Sequence, residues 1–144
     1  MAIWHNTPNI EQAQGMKQGT LLETLGIEIT ELGDDYLRGT MPVDSRTMQP
    51  YGILHGGASV SLAETLGSIA AHLVVDNSVY ATVGMEINAN HLRPVTKGLV
   101  TGTAKPIHLG RSSHVWSIEI VDANKNLICI SRLTMAVIKL SKLK

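Results

Sequence analysis

The sequence predicts an α+β fold in which an antiparallel β-sheet curls around one long buried helix, and three observations carry that expectation. Only one long helical pattern is present: after a loop punctuated by Pro50, Gly52, Gly56 and Gly57, the residues Leu62, Leu66, Ile69 and Leu73 recur at steps of three and four. Between Gly57 and Val75 the sole formal charge is Glu64, whereas a helix lying on a surface carries charges along its outer side. From Tyr80 onward the chain reads as strands joined by short turns.

Taken in order, residues 1–20 are mixed, with Trp4 as an anchor and a weak helical pattern over residues 10–18 interrupted by Gly15. Residues 21–25 read as a helical turn capped by Gly26. Ile27 with Ile29, and then residues 36–43, form two alternating runs joined at Gly33-Asp34-Asp35, a hairpin signal that points Leu37, Met41 and Val43 inward. A polar connector over residues 44–48 leads to the Gln49 loop and the central helix, which Asp76-Asn77-Ser78 terminates. Met85, Ile87 and Ala89 then alternate with Glu86, Asn88 and Asn90 as far as Arg93-Pro94. Lys97-Gly98 turns into a strand over residues 99–107, and residues 108–111 turn again. Trp116, Ile118 and Ile120 alternate with Ser117, Glu119 and Val121, residues 123–126 turn, and a strand over residues 127–140 closes the pattern. Both parities of that last strand are partly apolar, which predicts burial on both sheet faces and therefore oligomerisation.

Composition bounds the function classes. A chain of 144 residues suits one domain, with residues 1–20 as an extension and residues 139–144 as a Lys-rich tail. Hydrophobic residues make up 44%, yet Phe is absent, so the core is filled by aliphatic side chains. Twelve basic residues balance twelve acidic ones, which argues against a nucleic-acid partner or an acidic membrane surface. A single cysteine, Cys129, permits no internal disulfide; it alternates with Leu127 and Leu133 and reads as core. Without a signal-peptide pattern or a membrane-spanning run, the expected compartment is the cytoplasm. Six histidines show no metal-ligand spacing, so no metal and no cofactor are expected.

Glu64 is the residue that needs a reason. It shares steps of three and four with Ser61, Ser68 and His72, so the four form either a narrow solvated stripe or the polar floor of a site. A lone carboxylate on an otherwise small and apolar helix favours the second reading. Gly56-Gly57 at the helix start is a plain turn or, alternatively, a place where a ligand reaches backbone N–H groups at the positive end of the helix dipole. Such donors stabilise a developing oxyanion.

The runs Pro42-Val43-Asp44-Ser45-Arg46-Thr47, Gln49-Pro50, Leu54-His55-Gly56-Gly57-Ala58-Ser59, Ala63-Glu64, Glu86-Ile87-Asn88-Ala89-Asn90-His91 and His108-Leu109-Gly110 resemble, in matching order, the hotdog-fold acyl-CoA thioesterases. Within them the chain is most similar to the bacterial hydroxyaryl-CoA branch. The resemblance spans roughly residues 25–137.

It implies a hotdog fold and hydrolysis of an acyl-CoA thioester, coenzyme A being part of the substrate, with an aromatic or hydroxyaromatic acyl group preferred and an acyl or aryl carrier protein as an alternative donor. By the same resemblance Glu64 is the catalytic nucleophile or base and the Gly56 N–H is the oxyanion donor. Gln49 and His55 position the thioester carbonyl, His55 having a locally satisfied turn histidine as its alternative. Ser68 holds the hydrolytic water or the aryl end. His91, Arg93, His108 and Arg111 are candidates for the coenzyme A phosphates, against ordinary solvated basic residues. A hydratase or dehydratase on the same fold, and a non-catalytic acyl-CoA-binding protein, remain as alternatives.

Helix geometry adds an expectation of its own. Glu64 lies eight residues beyond Gly56, about 12 Å along the axis at 1.5 Å per residue. One carbonyl cannot easily meet both groups in a single chain, so the expected assembly is a homodimer whose antiparallel central helices each supply one half of two shared sites. The resemblance extends this to a homotetramer.

Overall fold

The computed structural model describes residues 1–143. Its elements are α1 (Ile10–Gln14), α2 (Leu21–Leu25), β1 (Glu28–Leu32), β2 (Leu37–Pro42), α3 (Gly56–Val74), β3 (Tyr80–His91), β4 (Leu99–Leu109), β5 (Ser113–Val121), β6 (Leu127–Lys139) and a 3-10 turn at Leu140–Lys142. The strands form one sheet in the order β1-β2-β4-β5-β6-β3, and every neighbouring pair is antiparallel. The last residue of the Lys-rich tail, Lys144, lies outside the described residues.

The apolar period of α3 becomes its buried face. Leu62 and Leu66 are fully buried, and Ile69 and Leu73 are 6% exposed; each such side chain contributes about 1.5–3 kcal/mol through burial. The helix packs against the sheet through β2, β3, β4, β5 and β6. Close approach depends on Gly102 of β4, where a Cβ would stand 2.6 Å from Leu66 Cδ1. The sheet answers with Leu37, Met41, Val100, Ala104, Trp116, Ile118, Ile120, Leu133 and Met135, all fully or almost fully buried.

Leu37, Met41 and Val43 face the core as the alternation predicts, and α2 ends at Gly26, which is left-handed at φ 70°. Cys129 is a buried free thiol pushed up from its ordinary pKa by burial, which suits core packing and not nucleophilic attack.

The structure departs from the sequence reading in several places: α1 ends at Gln14 and not near residue 18, and β2 covers Leu37–Pro42 and not residues 36–43. Strand β4 runs through His108 and Leu109, which pair with Val115 and His114 beyond an irregularity between Pro106 and His108; proline has no N–H for the ladder, and the register shifts past it. Strand β6 ends at Lys139, one residue early. In β3 the register shifts between Gly84 and Glu86, and Met85 is 66% exposed although it alternates with Ile87 in sequence. The extra residue of a bulge breaks the two-residue period.

The second apolar parity of β6 is covered unevenly: Ile128 is 3% exposed, whereas Ile130 is 38% exposed and Ala136 and Ile138 are half-buried. Strand β3 is an edge of the sheet and carries exposed Val83 as well as Met85. No helix among the described residues is long and apolar enough to cross a membrane.

Candidate active site

The loop before α3 is a built structure. Thr47 is 1% exposed; its hydroxyl donates to Pro42 O at 2.7 Å and accepts from the Asp44 N–H at 3.1 Å. The Thr47 carbonyl accepts the His55 N–H at 2.8 Å, and the Leu54 N–H donates to Val95 O at 2.7 Å. Between these anchors Gln49 closes a tight turn, accepting at its backbone oxygen from the Gly52 N–H and through Oε1 from the Tyr51 N–H. The turn fixes where α3 begins.

His55 is the N-cap of α3: its Nδ1 accepts from the Gly57 N–H at 2.8 Å. An accepting Nδ1 in a neutral imidazole puts the ring proton on Nε2, which leaves a donor. The local-backbone alternative for His55 therefore describes one of its two nitrogens. The N–H of Gly56, the first helical residue, has no hydrogen-bond partner among the described residues. Gly56 lines a cavity of about 480 Å³ with Gln49, Ser59, His91 and Arg93 among others. The His91 ring lies against Gly56: a Cβ there would stand 2.8 Å from His91 Nε2.

Glu64 faces elsewhere. It is half-buried, and its Oε1 lies 2.7 Å from the position a Cβ on Gly84 would take. The carboxylate therefore sits over the one backbone position of β3 that has no side chain and that opens the bulge. Glu64 and Ser68 line a second cavity of about 340 Å³ together with Met16, Leu21, Leu22 and Ile69. Among the described residues the Ser68 hydroxyl has only the soft Met135 sulfur as a partner, at 3.7 Å, so it remains available to a ligand. Ser61 is engaged, donating to Gly57 O at 2.9 Å.

Within one chain, then, Gln49, Gly56, His91 and Arg93 share one cavity, and Glu64 and Ser68 share another. The four basic candidates do not gather. Arg111 lines a separate cavity of about 650 Å³ with Lys139 and Lys142, while the His108 ring lies over Gly110. Among the described residues no three of His, Cys, Asp and Glu come together as a metal cluster. Gly84, Met16, Leu21 and Leu22 were not legible as site residues: no charge or spacing marks them, and their position depends on long-range packing.

A family model of the thioesterase superfamily matches residues 51–129, the span from the Gln49 loop into β6. The chain belongs to the thioesterase superfamily. It is 48% identical over 136 residues to the 1,4-dihydroxy-2-naphthoyl-CoA hydrolase of Escherichia coli, a match covering 94% of this chain and 99% of that one. It is 51% identical over 135 residues to the proofreading thioesterase EntH of Cronobacter turicensis, covering 94% and 98%. The crystal structure of a mutant thioesterase from Pseudomonas aeruginosa superposes with a TM-score of 0.94 at 50% identity, covering 96% of this chain and all of that one. This thioesterase is accordingly a thioester hydrolase, and its sheet wrapped on one long helix is the hotdog fold.

Proposed function

We propose that the protein hydrolyses acyl-CoA thioesters with an aromatic or hydroxyaromatic acyl group, using Glu64 as nucleophile or general base and the Gly56 N–H as oxyanion donor. The observation that carries this reading is that the helix start leaves the Gly56 N–H unpaired at a cavity while the only charge on α3, Glu64, lines another cavity beside an available Ser68 hydroxyl. Attack at the carbonyl carbon pushes negative charge onto its oxygen; a fixed N–H at the positive end of a helix stabilises that charge without reorganising. In one route Glu64 removes a proton from water as the water attacks; in the other the carboxylate attacks and water then cleaves the anhydride. Either way the C–S bond breaks, a C–O bond forms, and the coenzyme A sulfur leaves as thiolate and takes a proton.

Gln49 and the Nε2–H of His55 are donors for the thioester carbonyl, and Ser68 holds the water or the far end of the acyl group. His91 and Arg93, at the Gly56 cavity, serve the coenzyme A side, and Arg111 with Lys139 and Lys142 offers a further anion-binding surface. The aromatic preference is supported by the similarity to an enzyme named for a naphthoyl-CoA substrate.

Because the Gly56 and Glu64 cavities are distinct within the chain, we assign each active site to two chains of a homodimer, Gln49 and Gly56 coming from one and Glu64 and Ser68 from the other. The partly covered apolar surface of β6 and β3 is the face left for association into dimers and tetramers.

Thiol release from benzoyl-, hydroxynaphthoyl-, medium-chain and acetyl-CoA, with the matching carrier-protein thioesters, tests the reaction and its preference together. Glu64→Gln keeps the shape and removes the basicity, so it lowers kcat by several orders of magnitude and leaves KM within a few-fold. Retention of more than about a tenth of kcat removes Glu64 from the mechanism, and highest kcat/KM on acetyl-CoA defeats the aromatic assignment.

A further inference from the structure

The cavity beside Glu64 has a wall supplied from far away in sequence. Met16, Leu21 and Leu22 line it together with Glu64, Ser68 and Ile69. The segment that carries the first three is pinned to the rest of the molecule. Trp4 Nε1 donates to Gly33 O at 2.7 Å, the His5 N–H to Leu73 O at 2.9 Å, and Gln14 Nε2 to Ile29 O at 2.9 Å. Ala13 of α1 is fully buried. Helix α1 starts in a reciprocal cap between Asn9 and Gln12, and α2 stops at left-handed Gly26, whose N–H bonds to the Leu22 and Glu23 carbonyls.

This anchoring holds apolar side chains at a cavity that also contains a carboxylate and a free hydroxyl. Leu21, at the rim, is 53% exposed. A leucine held there gains by being covered, and a ligand with an apolar body that enters toward Glu64 covers it. Neither Ser68 nor Glu64 supplies apolar contact, and Ile69 is 6% exposed and packed into the core, so most of the accessible apolar surface at the cavity belongs to the wall.

We propose that Met16, Leu21 and Leu22 form the apolar wall of the acyl pocket and determine which acyl groups the enzyme accepts, favouring bulky or flat apolar groups over acetyl. The proposal rests on the reading of the Glu64 cavity as the acyl site. An acyl body that reaches the wall replaces water along Leu21 and Leu22, whereas an acetyl group presents a single methyl and covers far less apolar surface.

The test compares kcat/KM for benzoyl-CoA and acetyl-CoA in the wild-type protein and in the Leu21→Ala and Leu22→Ala variants. Leu21 is half-exposed, so its truncation leaves the fold intact, and thermal melting of both variants verifies this. The expected result is a fall of about tenfold in the benzoyl-to-acetyl ratio for Leu21→Ala. A ratio that falls by less than threefold, or that rises, in both variants while the wild-type protein hydrolyses the two thioesters overturns the wall. A wild-type protein that hydrolyses neither overturns the acyl-site reading itself, and the wall with it.

Discussion

Glu64 Oε1 lies 2.7 Å from the point where a Cβ on Gly84 would stand, so the helix carboxylate and the edge strand β3 fit only because position 84 has no side chain. The nearest other atoms to that point are Glu64 Cδ and Met135 Sδ, at 3.8 and 3.9 Å, which leaves the flexible carboxylate as the group that yields. Gly84→Ala therefore pushes the carboxylate out of place and leaves the exposed strand folded. A displacement of this size costs about ten- to a hundredfold in kcat. Steady-state kinetics and a melting curve check it: an unchanged kcat would show that the carboxylate does not need its seat on Gly84.

His91 and Gly56 stand in the same kind of relation, 35 residues apart in sequence. A Cβ on Gly56 would meet His91 Nε2 at 2.8 Å and Cε1 at 3.1 Å. Gly56→Ala is expected to lower kcat by about a hundredfold through its effect on the oxyanion donor, and adding His91→Ala to it recovers part of the loss by making room. Simple multiplication of the two single-variant effects in the double variant would show that the two residues act independently.

His114 sets a pH dependence of stability. It is 2% exposed, its Nδ1 has no hydrogen-bond partner among the described residues, and burial, then the neighbouring His108 charge, holds its imidazole below the ordinary value of 6.5. The unfolded chain therefore binds a proton there at a higher pH than the folded one. Stability from this group is complete above pH 6.5 and is lost as pH falls from 6.5 through the depressed folded value. Melting temperature measured from pH 7.5 to pH 5 is expected to fall more steeply in the wild-type protein than in His114→Phe. Parallel slopes would mean that another group dominates in that window.

Much of the fold was legible because the signals were local. The 3.6-residue period of Leu62, Leu66, Ile69 and Leu73 has one solution, and the Gly56-Gly57 start and the Asp76-Asn77-Ser78 stop bracket it to within one or two residues of α3. Period-two alternation and turn signals placed the strands, since β2 to β6 each turn one face to α3 and β1 packs on α1. They misplaced Met85, because a bulge inserts a residue without any local signal stronger than Gly84, and they cut β4 short at Pro106-Ile107 because a proline and a following His-Leu-Gly read as a turn. The carboxylate proposed for the site, Glu64, stood out as the lone charge on an apolar helix. Its seat on Gly84, the His91 ring against Gly56 and the wall of Met16, Leu21 and Leu22 were not, because each joins distant segments and follows from the order in which strands pair.

Gly56 and Glu64 are proposed to act on one thioester from two different chains, and complementation between two defective chains separates this from a site built within one. A Gln49→Ala, Gly56→Pro chain and a Glu64→Ala chain, each inactive alone, are co-expressed, with heterodimers shown to form in the mixture and both variants shown to be folded. In each heterodimer one site combines both lesions and the other is wholly intact. Random mixing then restores about a quarter of wild-type thioesterase activity. No restored activity in verified heterodimers would contradict the shared site and return Gly56 and Glu64 to a single chain.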